Sequence, residues 1–398
     1  MQNHASMAFP CAWRNARRRA RVGGMNSWLA GLCSVLFASL GLSAQTQPSA
    51  EGEAAPSAGE QRLLDSPSLR SISFDLLGRP PYALERERWI GKPLGAFVED
   101  CLTGEEFWSS WVEEQLYYFL LIDNFRPHSK RVLDLPRALH AGKLQPHEAL
   151  HVISLCPSFD RRNPGPDTFV TVIMEQLLGL EVQKKTGDLE AGKRIYDGHG
   201  SRFLGVQGDS QSDVVRIAIE DRRSRSHLLS REYQRLVRKP APKRELSAWT
   251  RSLESGELDY LELLGGWLRS EAYAQRLAQR EPMTNRIFVQ ALFVDLSDSK
   301  PGLEEARRLR NALDGLSSAG PLRSVLARLY VDSGRVKHKS RSAIEDPTQW
   351  ISGLFVRLLG RPPSPEELGV FVGSFHNPAC TPATVIYALI SHPEYQTW

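Results

Sequence analysis

Several signatures are missing from this 398-residue chain, and each absence closes a class of function. There is no C-x-x-C-H run, which excludes a covalently attached c-type haem, and no pair of C-x-x-C motifs of the zinc-site kind. No G-x-S-x-G elbow occurs, and the His, Asp and Ser residues show no spacing that suggests a triad. The stretch from Asp197-Gly-His-Gly200 to Gly205-Val-Gln-Gly208 is glycine-dense. It follows no evident strand and lacks the lysine and hydroxyl of a phosphate loop, so a long loop between helices is expected there.

Charge of one sign is also scarce. The formal net charge is +4, but the first 44 residues carry Arg14, Arg17, Arg18, Arg19 and Arg21 and no acidic residue, so the remainder is close to neutral. Such a body has little with which to neutralise phosphates, which argues against a nucleic-acid partner. Long apolar runs are limited to one, the 15 residues from Trp28 to Leu42. A spanning helix needs about 20. The run follows a basic stretch and leads into Ser43-Ala44-Gln45, the shape of a secretory signal, so residues 1–44 are expected to be a signal peptide. An uncleaved anchor is the alternative and the one route to a membrane. Residues 45–65, rich in Ala, Pro, Ser, Gly and Glu, read as a flexible leader. Beyond them lie Cys101, Cys156 and Cys380, an odd number without short spacings, which argues against a disulfide framework.

What the sequence does contain is self-similarity. The last segment reads Phe355-Val-Arg-Leu-Leu-Gly-Arg-Pro-Pro-Ser-Pro-Glu-Glu-Leu368 and closes at Val385-Ile-Tyr-Ala-Leu-Ile-Ser-His-Pro-Glu-Tyr395. A gapless shift of 122 aligns it with Arg235–Leu246 and Tyr273, and a shift of 62 with Phe293–Glu305 and Leu326–Ser333. The first copy, Phe74-Asp-Leu-Leu-Gly-Arg-Pro-Pro81, is six residues shorter, and weaker copies start near Phe119 and Phe169. Each copy has a physical logic. An apolar helix ends at Gly360, or Gly78 in the first copy; Arg361-Pro362, Arg79-Pro80 or Lys239-Pro240 makes the turn; and Ser364 with Glu367 forms a capping box. Glu85, Glu245 and Glu305 hold the equivalent place, and Tyr273 and Tyr395 close their copies. Units of this size gain stability by packing on their neighbours.

The expectation is an all-α array of about six related two-to-three-helix units. They comprise a first pair at 66–159, a third at 160–227 with the Gly-rich loop, and further units at 228–283, 284–340 and 346–398. The arginines of the turns are expected to bond helix-end carbonyls and pair with capping carboxylates of a neighbouring unit. The L-L-G-R-P-P…S-x-E-Y pattern resembles the secreted, cytochrome-c-associated domains of unknown function of planctomycete proteins and similar bacterial surface repeat domains. That resemblance implies export and helical build, and a helper role beside a c-type cytochrome is one function it suggests.

One motif carries chemistry. His147-Glu148-Ala149-Leu150-His151 matches H-E-x-x-H, which on a helix puts both imidazoles on one face for zinc, with Glu148 as the base. His151 is followed by Val-Ile-Ser-Leu-Cys156 instead of a third histidine, so Glu175 is the remaining candidate ligand. The repeat alignment places His151 inside a closing helix, where packing explains it. Trp108, Trp111, Tyr117 and Tyr118 lie at near-helical spacing and read as core. These features together favour a non-catalytic, exported protein of the periplasm or cell envelope that takes other envelope or secreted proteins as partners and needs no cofactor. A zinc hydrolase centred on residues 147–151 is the alternative.

Overall fold

Asp65 accepts the backbone N–H of Ser68 at 2.8 Å and a proline sits in the first turn, so the chain enters helix α1 (Ser66–Leu77) with its leading donors occupied. The computed structural model describes residues 62–120 and 129–398; the expected signal peptide and most of the expected leader lie outside the described residues. After α1 come α2 (Ala83–Trp89), α3 (Leu94–Leu102), α4 (Glu105–Leu120), α5 (Lys130–Leu133), α6 (Leu135–His140), α7 (Pro146–Ser154), α8 (Pro157–Arg162) and α9 (Gly165–Val172). Helix α9 runs on into a π-turn, and α10 (Thr186–Tyr196) leads to strands β1 (Ser201–Phe203) and β2 (Val206–Gly208). Five helices follow: α11 (Gln211–Glu220), α12 (Arg222–Val237), α13 (Lys243–Ser255), α14 (Tyr260–Leu268) and α15 (Glu271–Leu277). The last six are α16 (Asn285–Ser297), α17 (Leu303–Asp314), α18 (Gly320–Asp332), α19 (Pro347–Leu359), α20 (Pro365–His376) and α21 (Pro382–Ser391).

The class is all-α, with one departure from the sequence reading. The glycine-dense stretch is an antiparallel hairpin in place of a plain loop, pairing Ser201 with Gly208 and Phe203 with Val206. Its turn residues Leu204 and Gly205 have φ values of 52° and 85°, the paired left-handed conformations of a tight hairpin turn. Phe203 is fully buried and anchors the hairpin to the helices.

Helices α1, α12, α16 and α19 leave through the left-handed region at Gly78, Arg238, Asp298 and Gly360, with φ between 54° and 69°. These are the positions that the sequence shifts align. In all four the next helix starts five residues on, at Ala83, Lys243, Leu303 and Pro365. The one after that starts at Tyr260, Gly320 and Pro382, the same distance from its stop each time, and at Leu94 in the shorter first copy. Some expected boundaries move. Leu64, assigned to the leader, is buried and its N–H donates to the Lys92 carbonyl at 2.9 Å; the limits at 159/160 and 227/228 fall inside α8 and α12.

Two apolar cores form, one from α1–α15 and one from α16–α21. Helix α1 serves both, giving Leu69, Ile72 and Leu76 to the first and Phe74 to the second, where its ring lies 5.7 Å from that of Trp398. The ends of the second core meet at a short bridge: the Glu281 N–H donates to the Trp398 carbonyl at 2.8 Å, and the reverse bond is 2.9 Å. Between the cores runs a seam of ions, with Glu113 and Glu114 of α4 facing Arg307 and Arg286. None of the helices among the described residues is long and apolar enough to cross a membrane.

Candidate functional site

The turn arginines are held inside their own segments, which corrects the expectation of partners in a neighbouring unit. Arg79 donates to both oxygens of Glu85 at 2.6 and 2.8 Å, to both of Glu106 at 2.6 and 2.8 Å, and to the Pro80 carbonyl at 3.0 Å. Arg361 repeats this with Glu367 at 2.8 Å, Glu394 at 2.7–3.0 Å and the Pro362 carbonyl at 3.1 Å. Turn geometry explains it: the proline pair folds the arginine back over the first turn of the next helix, where the capping glutamate already waits. Hydrogen bonds from Arg361 pull the Glu367 carboxyl down to about 2. The other copies vary. Lys239 donates to Gln275 at 3.3 Å, and Glu305 is met by Arg335 at 2.9 Å.

The closing tyrosines have buried partners that the sequence reading missed. Tyr273 donates to Asp75 at 2.7 Å and Tyr395 to Asp295 at 3.1 Å, each joining the end of one segment to the first helix of another. Arg276 and Arg70 complete these sites, the latter as a fork on Asp295 at 2.9 and 2.8 Å. Burial raises the Asp75 carboxyl even though Arg276 and Tyr273 oppose it. A signal was present: Asp75 and Asp295 each stand three residues before a helix stop that the shifts align.

The H-E-x-x-H helix is α7, as expected, but Glu148 and His147 are engaged elsewhere. Glu148 turns back to accept the Gln145 N–H at 2.6 Å, closing the helix start. His147 Nε2 lies 3.5 Å from the Arg225 guanidinium, and burial followed by that charge lowers its pKa. Burial and Arg131 lower that of His151, whose Nε2 is buried without a hydrogen-bond partner. Glu175 is exposed in the π-turn after α9. Among the described residues no three His, Cys, Asp or Glu side chains are grouped to hold a metal ion. Cys101, Cys156 and Cys380 are free thiols.

What surrounds α7 is a concave surface. A cleft of about 590 Å³ is walled by His147 and Arg225 on one side and by Leu253, Leu258 and Tyr260 on the other. A second, of about 320 Å³, lies against Trp108, Leu139 and Leu261. Both include Gln145, Pro146, Asp259 and Tyr260, so the two depressions share one saddle. Of the aromatic group expected to be core, Trp108 lines the second cleft; it and Trp111 are buried, and the Trp111 Nε1–H donates to the Tyr260 hydroxyl at 2.9 Å. Tyr117 and Tyr118 instead lie half-buried beneath Arg310 and Arg231, at 3.5 and 3.7 Å.

Compared with protein-family models, curated proteins and solved structures, the chain matches none.

Proposed function

We propose that this chain is an exported, non-catalytic helical-repeat protein that binds other envelope or secreted proteins, with the twin clefts beside α7 as its contact surface. One observation carries the reading: Glu148, the group a zinc hydrolase would use as its base, is held by the backbone N–H of Gln145 at 2.6 Å. Burial, followed by Arg225 for His147 and by Arg131 for His151, lowers the pKa of both imidazoles, against the pull of Glu148 on each and of Glu220 on His151. The recurring Arg, Glu and Tyr residues are likewise consumed by internal bonds, so they serve shape and leave the saddle free for contact. The combined clefts offer apolar walls, the rings of Trp108 and Tyr260 and a few polar groups, the composition of a recognition surface. The regular spacing of helix stops and starts supports the array, and the resemblance to secreted surface repeats supports export.

The test is a photo-reactive residue placed at Leu258, in the cleft wall and 37% exposed, or at Val370, 66% exposed on the other core. In an envelope fraction, the expected result is a discrete adduct from the first site and none from the second. Metal analysis of the purified full chain is expected to give far less than one zinc per molecule. Near-stoichiometric zinc that disappears in both His147→Ala and His151→Ala would overturn the proposal in favour of the metallohydrolase.

A further inference from the structure

A separate cleft of about 360 Å³ lies between α4 and α12. Helix α12 contributes Arg231 and Arg235, four apart so that they share a face, the left-handed stop after it contributes Arg238, and α4 contributes Glu114, Gln115 and Tyr118. Most of these charges are matched. Arg235 donates twice to buried Glu232, at 3.0 and 2.9 Å, and once to the Asp75 carbonyl at 2.7 Å. Arg238 pairs with Glu281 at 2.7 Å, and Glu114 with Arg286.

Arg231 is the exception. Its guanidinium lies 3.7 Å over the Tyr118 ring and donates to the side-chain oxygen of Gln115. The amide nitrogen of Gln115 donates to Glu232 at 3.1 Å, which turns the amide so that its oxygen faces Arg231. Arg231 therefore has a neutral acceptor for one nitrogen and, among the described residues, no carboxylate within ion-pair reach. The surroundings are electropositive: burial works the other way, yet Arg286, Arg235 and Arg310 hold the Glu114 carboxyl below its usual range.

We propose that this cleft is a carboxylate-binding site in which Arg231, flat on Tyr118 and oriented by Gln115, is the recognising cation. A planar fork with unspent nitrogens matches a carboxylate in two bonds. One surplus positive charge balances one carboxylate, whereas a phosphomonoester brings roughly −1.5 to −2. The volume lies at the small end of ligand sites and accepts a short organic acid or an acidic side chain of a polypeptide. The site is independent of the clefts beside α7.

The experiment is a ligand-observed NMR titration of the full chain. The probes are butyrate, an end-blocked peptide with a central glutamate, the same peptide with glutamine, and inorganic phosphate. Saturable millimolar or tighter binding of butyrate or the glutamate peptide is expected, with the glutamine peptide silent and phosphate weaker. Whichever carboxylate binds more tightly assigns the source. Arg231→Gln should weaken binding about tenfold or more, and Arg231→Lys, which keeps charge but loses the fork, should fall between. Circular dichroism checks both folds; if Arg231→Gln is unfolded, the lysine variant decides. Absence of carboxylate binding, tighter binding of phosphate, or unchanged affinity in the folded variants would overturn the assignment.

Discussion

His227 gives the sharpest test of the packing around α12. Its ring lies against Gly179, which turns the chain after the π-turn with φ of 65°, and its Nε2 is buried without a hydrogen-bond partner. Burial, followed by the nearby Arg231 charge, pushes its pKa down to about 4. In the unfolded chain an imidazole titrates near about 6.5, so between these values the unfolded state binds a proton that the native state refuses. The stability contribution is therefore complete above the unfolded value and is lost as the pH falls. The loss is about 2 kcal/mol near pH 5 and about 3 kcal/mol near pH 4. His147 and His151 are shifted in the same direction, so the protein as a whole should soften on acidification. Urea unfolding at neutral pH and near pH 5, for the parent chain and for His227→Gln, isolates the single residue. The variant should lose about 2 kcal/mol less over that interval, whatever its stability at neutral pH. Parallel pH profiles for the two chains would refute the reasoning.

The two arginine clamps should differ despite their shared geometry. The Arg79 side chain is 1% exposed and Arg361 33%, so Arg79→Ala, which leaves Glu85 without its cation and Glu106 with Lys300 alone, is expected to cost about 2–4 kcal/mol and Arg361→Ala about 1 kcal/mol by urea unfolding. Equal costs would mean that burial is not what separates them. Tyr273→Phe removes the 2.7 Å bond to Asp75 inside the protein and should cost about 1–3 kcal/mol in the same assay.

Local chemistry was legible in the sequence because it is settled within a few residues. Ser364 and Glu367 cap α20 through bonds of 3.1 and 2.7 Å, and Gly78 and Gly360 stop their helices, as the letters imply. Arg238 and Asp298 make the same stop without glycine, at the positions that align with the glycine copies. The hairpin was hidden because Leu204 occupies a left-handed position usually marked by Asn or Gly. The carboxylate partners Asp75 and Asp295 share a place three residues before aligned stops, but they lie 198 and 100 residues from their tyrosines, a distance over which the pairing itself cannot be read. For the same reason the motif at 147–151 could be read but not weighed: whether Glu148 activates water or closes a helix depends on its rotamer, and the neighbouring cations come from α5 and α12.

The divided allegiance of α1 bears on how the molecule is made. Phe74 and Arg70 sit near the beginning of the described chain, yet they complete their surroundings with Asp295, Tyr395 and Trp398. A polypeptide emerging from its amino end would have to hold this helix in waiting, its guanidinium unmatched until Asp295 arrives 225 residues later and its phenyl ring until Trp398, the last residue. Assembly of the earlier lobe is thus tied to the later one, and a chain cut short before the final tyrosine would leave the opening helix half finished.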